Sequence, residues 1–160
     1  MSGRPQVRLL DALELDIGPE TLRKRARSLG LGSGAPYVSR SYRYPYALVG
    51  WHTDRIGVDI ERIGPLDPAF GELICTPDER SALATSGDTD TDLTSLWCAK
   101  EALAKGLGDA LFYHPARLES PSRWPCRRSG PWHTAQLAVA PDHIAWLCWR
   151  SVDLPPSPAG

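Results

Sequence analysis

Lysine is the scarcest charged residue in this chain of 160 amino acids, with three (Lys24, Lys100, Lys105) against fifteen arginines. An excess of either sign is also missing. Eighteen Lys plus Arg offset 19 Asp plus Glu for a formal net charge of −1, which excludes bulk electrostatic capture of nucleic acid or an anionic membrane. No apolar run approaches the ~20 residues of a bilayer span. The N-terminus, MSGRPQVRLLDALELDIG, offers no apolar stretch for a signal peptide. A soluble, cytoplasmic protein is the expectation. The four cysteines (75, 98, 126, 148) form no CxxC and no pairing with His at zinc spacing, so neither a zinc site nor a redox motif is indicated. Cys75, Cys98 and Cys148 read as small core residues.

The distribution of residues indicates an α+β chain with a mostly antiparallel sheet packed against two or three helices. Helices are expected over 19–31, after Thr76, and from about 92 or 94 to 107, where Gly108 ends the last of them. Strands are expected at 46–52 and 55–61, joined as a hairpin through Thr53-Asp54, and at 116–119, 132–140 and 144–151. Residues 62–72 read as a connection with two prolines, and the proline-rich end as a frayed tail. No internal repeat is visible.

Two segments carry chemistry. In Ile56-Gly-Val-Asp-Ile-Glu61 the alternation puts Ile56, Val58 and Ile60 on one face and Gly57, Asp59 and Glu61 on the other. Two carboxylates so close repel unless water or a cation separates them, and Gly57 leaves room for a ligand against the backbone. In Leu96-Trp-Cys-Ala-Lys-Glu-Ala-Leu-Ala-Lys105, residues Trp97, Glu101 and Lys105 share one helix face. Glu101 is thereby available as a third oxygen ligand of the kind Mg²⁺ prefers, with Lys100 and Lys105 as compact charges suited to phosphate. Taken alone, the first segment reads better as an exposed acidic edge and the second as an ordinary amphipathic helix.

Together, IGVDIE (56–61) and WCAKEALAK (97–105), with 37 residues between Asp59 and Trp97, resemble the signature of the 4′-phosphopantetheinyl transferase superfamily. CTPDE (75–79) is similar to an intervening family segment, and Val38-Ser-Arg-Ser-Tyr42 occupies the place of an SHS-like motif in the longer, surfactin-type members, with Arg40 where His is usual. The resemblance implies a surfactin-type enzyme with a shortened first half: a remnant over 1–35, a transferase-like domain over 36–152 and a disordered tail over 153–160. It implies transfer of 4′-phosphopantetheine from coenzyme A to a serine of an acyl or peptidyl carrier protein, with release of 3′,5′-ADP. Asp59, Glu61 and Glu101 would hold Mg²⁺, or Mn²⁺, against the pyrophosphate. Glu101 would accept the serine proton, with Asp59 and Lys105 completing the catalytic set. Ser39, Arg40, Lys100 and Lys105 would bind coenzyme A. A basic surface for the carrier is sought in Arg23–Arg27 or in Arg123, Arg127 and Arg128 beside Trp124 and Trp132. The chain would act as a monomer or homodimer, without nucleic acid or membrane. Two other readings stay open: a non-catalytic coenzyme A or carrier-binding module, and a Mg²⁺-dependent phosphohydrolase.

Overall fold

A computed structural model describes residues 3–108 and 112–151, so the expected tail lies outside the described residues. The chain begins with β1 (Gln6–Asp11), α1 (Pro19–Gly32), β2 (Tyr37–Arg43) and β3 (Tyr46–His52). After β4 (Ile56–Arg62) come three helices, α2 (Pro68–Ile74), α3 (Pro77–Leu83) and α4 (Thr89–Leu107). Three short 3-10 turns follow, then β5 (Arg128–Ser129), β6 (Trp132–Leu137) and β7 (His143–Arg150). The α+β class with antiparallel sheets holds, with four α-helices among the described residues where two or three were expected.

The sheets differ from expectation in an instructive way. β3 lies between β1 and β2, while β4 pairs with β7, in the orders β1-β3-β2 and β4-β7-β6-β5. Thr53-Asp54 therefore carries the chain from one sheet to the other and does not close a hairpin. β3 already has a strand on each edge, which leaves β4 no ladder to join. Arg150 of β7 ties this crossing down through both carboxylate oxygens of Asp54, each at 3.1 Å. β1 carries no clear alternation because it is an edge strand whose residues are all exposed or part-exposed. Residues 115–117 form a 3-10 turn where a strand was expected, and the Pro115 carbonyl is taken by a buried lysine. α2 fills part of the expected connection. Pro68 sits in its first turn, where no backbone N–H is needed, and Asp67 caps it by accepting from Ala69 N–H at 2.9 Å.

Three apolar interfaces stack these elements. Leu22 and Ala26 of α1 meet Ala47 and Val49 of β3. On the other side of that sheet, Leu48 packs on Ile56, Val58, Ile60 and Leu147. Beyond the second sheet, Cys98, Ala99, Ala102 and Leu103 of α4 cover Trp146 and Cys148. The layers thus run α1, three-stranded sheet, four-stranded sheet, α4. The two sheets share a topology that the sequence hides. With α2, α3 and the two-residue β5 set aside, each is entered by a strand, left through a helix and completed by two further strands, the last of which lies in the middle: β1-α1-β2-β3 and β4-α4-β6-β7.

Candidate catalytic site

β2 and β4 are the edges at which the two sheets meet, and side chains bridge them where a backbone ladder would otherwise run. Ser39 Oγ accepts from Val58 N–H at 3.0 Å and Ser41 Oγ from Ile60 N–H at 3.1 Å. Lys105 Nζ, reaching in from α4, donates to the carbonyls of Arg40 (3.3 Å) and Val58 (3.1 Å) and to Asp59 Oδ1 (2.8 Å). These bonds satisfy edge groups that burial would otherwise leave unpaired.

Gly57 has a different task from the one its sequence context suggests. A Cβ there would lie 1.8 Å from the Ala102 carbonyl oxygen and 2.6 Å from Gly106 N. The missing side chain admits α4, and the room expected for a ligand is filled by helix backbone. This crossing of β4 and α4 brings Glu101 and Lys105 to the carboxylates of β4.

Asp59 is buried, at 4% exposure. Its Oδ1 accepts from Ser41 Oγ at 3.0 Å and from Lys105, whereas its Oδ2 is buried with no hydrogen-bond partner. Glu61 is held through Oε2 by Arg43, at 2.7 Å from Nε and 2.6 Å from Nη2. Burial, and then the Asp59 charge, push its carboxyl up to about 7 against the pull of Arg43. Glu101 is raised by burial and by Asp59, and lowered by Lys105 and by Tyr113, whose hydroxyl donates to Oε1. Tyr113 in turn stacks on Trp97, with ring centroids 6.4 Å apart, and Trp97 meets Phe70 edge-on at 5.1 Å.

Three acids that repel one another and a buried carboxylate oxygen without a partner suit a hard divalent cation, whose preferred ligands are oxygens. Asp59, Glu61 and Glu101 therefore fit Mg²⁺ as a donor set. Among the described residues no three His, Cys, Asp or Glu side chains already converge on one metal position, and Glu61 and Glu101 are each engaged through one oxygen by Arg43 and Tyr113.

Beside the acids lies an open cleft of about 500 Å³ lined by Ser39, Arg40, Tyr42, Lys105 and Phe112, among others. Three of the four residues expected at coenzyme A thus line one cavity. Arg40 packs across Gly30 of α1, where a Cβ would sit 3.6 Å from its Nη1. Lys100 is not brought there. Its side chain is fully buried and donates to Ile74 O (2.6 Å), Glu79 Oε1 (2.5 Å) and Pro115 O (2.8 Å). An ammonium has three donors, and all three are used. The expectation of a phosphate contact at Lys100 gives way to a buried ion pair. Five residues on from Lys100, Lys105 sits about 140° round the helix, so the two lysines cannot serve one site side by side.

The two candidate carrier surfaces lie apart, one at a separate cleft and one beside this cleft. Trp124 and Trp132 are partly buried against the α4 core. Arg127 stacks over Trp146 at 5.1 Å in a separate cleft of about 390 Å³. On α1, Arg23 lies 4.6 Å over the Tyr42 ring at the first cleft. All four cysteines are free thiols, and only Cys126 is exposed. No helix among the described residues is long and apolar enough to cross a membrane.

Of the polar residues at these sites, sequence reasoning gives Ser41 and Arg43 no role and does not single out Tyr113, while Glu79 enters only within the CTPDE segment. The alternation of Ser39, Ser41 and Arg43 along one strand was a usable signal for the first two, but nothing local marks Tyr113 as a neighbour of Glu101.

A comparison with curated proteins finds no match. The family model of the 4′-phosphopantetheinyl transferase superfamily, by contrast, matches residues 55–144, from the start of β4 into β7, and takes in both signature segments. With more than half the chain covered, and the acid cluster built from those segments, this protein belongs to the 4′-phosphopantetheinyl transferase superfamily.

Proposed function

We propose that the chain is a Mg²⁺-dependent transferase that moves 4′-phosphopantetheine from coenzyme A to a serine of an acyl or peptidyl carrier protein. The observation that carries this reading is the buried, unpartnered Asp59 Oδ2 amid the charges of Glu61 and Glu101, next to a cleft shared by Ser39, Arg40 and Lys105.

In this reading the carrier serine oxygen bonds to the pantetheine-side phosphorus of the pyrophosphate, the bond to the bridging oxygen breaks, and 3′,5′-ADP leaves. Glu101 accepts the serine proton. Its burial, which disfavours the charged form, raises its basicity, and Tyr113 fixes the carboxylate through Oε1. Asp59, Glu61 and Glu101 are the residues to hold Mg²⁺, which when bound supplies positive charge against the pyrophosphate oxygens. Lys105, beside Asp59 and open to the cleft, adds a fixed cation, and Arg40 with Ser39 addresses the 3′-phosphate end.

The repeated strand-helix-strand-strand topology favours the surfactin-type subclass. The two halves then divide near 53–55, where the chain changes sheets, and not at 35, because β2 and β3 join β1.

The test incubates the purified chain with apo acyl and apo peptidyl carriers, coenzyme A and Mg²⁺, and weighs each carrier by intact mass spectrometry. A gain of one phosphopantetheine is expected, slowed about 10²–10⁴-fold in Glu101→Gln. Coenzyme A binding without transfer would leave a binding module in its place. Breakdown of coenzyme A without carrier would make the chain a hydrolase.

A further inference from the structure

Ser41 is doubly engaged at the seam. Its hydroxyl accepts from Ile60 N–H at 3.1 Å and donates to Asp59 Oδ1 at 3.0 Å, so its single proton is committed to the carboxylate. Lys105, reaching in from α4, holds the same oxygen at 2.8 Å. With two donors on Oδ1, Oδ2 is the oxygen left buried without a hydrogen-bond partner. Ser39, two residues earlier on the same strand, makes the matching bond to Val58 N–H but none to a carboxylate.

We infer that Ser41 is a positioning residue for the metal: a side chain of the first half of the chain that turns Asp59, in the second half, so that Oδ2 is presented to the cation. The inference rests on the metal-dependent reading above and adds to it. Binding of a divalent ion is prepared by the junction of the two sheets as well as by the three acids. A partner that orients a metal-ligating carboxylate typically contributes 10–100-fold in metal affinity.

Mn²⁺ is a suitable probe, because its free form is read directly by electron paramagnetic resonance without coenzyme A or turnover. Wild type, Ser41→Ala, Ser41→Thr and Ser39→Ala are titrated, and each is unfolded in urea to measure stability. Ser41→Ala is expected to bind Mn²⁺ about tenfold or more weakly. Ser41→Thr, which keeps the hydroxyl, is expected to stay near wild type. Ser39→Ala is expected to lose stability comparably to Ser41→Ala while keeping Mn²⁺ affinity. Equal affinity in Ser41→Ala and wild type overturns the inference. So does equal weakening in Ser39→Ala, because the seam would then matter and not the carboxylate contact. A wild-type chain that binds no Mn²⁺ removes the metal site of the functional reading, and the inference falls with it.

Discussion

Glu61 is the side chain whose titration bears most directly on stability. In the unfolded chain its carboxyl ionises near 4.5, and in the fold near 7, chiefly through burial and then through Asp59. The folded state therefore holds that proton more tightly. The stability this group contributes is present below the lower value and is lost as pH climbs through the upper one. Glu61→Gln removes the ionisation. In metal-free buffer its melting temperature, relative to wild type, is expected to be higher at about pH 8 than at about pH 4. Added Mg²⁺ should narrow the difference at the higher pH by stabilising the wild-type carboxylate. The sequence exposed Asp59, Glu61, Glu101 and Lys105, because alternation on a strand and a four-residue spacing on a helix assign faces without tertiary information. It could not expose Tyr113 or the bond from Ser41 to Asp59, which depend on segments that fold back from elsewhere.

At the scale of the element, α4 works on two faces. One carries Glu101 and Lys105 to β4. The other sends Lys100 to Glu79, which also accepts from Thr76 N–H at 3.0 Å and Ser120 N–H at 3.3 Å. One carboxylate thus caps α3, anchors the segment around 120 and neutralises Lys100 of α4. Truncating one member of such a pair leaves a buried charge without its partner, a loss of about 3–5 kcal/mol. Lys100→Met should lower the urea unfolding free energy by roughly that amount. The double variant Lys100→Met with Glu79→Gln should be less destabilised than Lys100→Met alone, since an amide still serves one cap without a charge. The capping segment from Thr76 to Glu79 was legible as a helix start. The two lysines, read together as compact charges suited to phosphate, instead divide between a buried ion pair and a place at the cleft.

For the whole molecule, the repeated topology decides how the cleft is built. Ser39, Arg40 and Tyr42 come from the first sheet, Ile56 from the second and Lys105 from α4, so one chain supplies both walls. Transfer per mole of protein is therefore expected to stay constant when the enzyme is diluted through the micromolar and nanomolar ranges. A fall on dilution would instead require two chains per site. The sequence concealed this plan because its two strand-helix-strand-strand units differ in length and share no visible residue pattern. The α+β class survived in outline because β4, α4 and β6 are strongly patterned. The assumed hairpin failed because adjacency in sequence says nothing about which edges are free.

The side-chain seam between β2 and β4 has a last consequence. Each of these strands is one edge of its sheet, and among the described residues Ser39, Ser41 and Lys105 occupy backbone groups that would otherwise recruit another strand. Cutting the chain between the sheets would leave two fragments, each with an unguarded edge and an apolar face. Such fragments are prone to self-association, so each half works as the other's solubility partner.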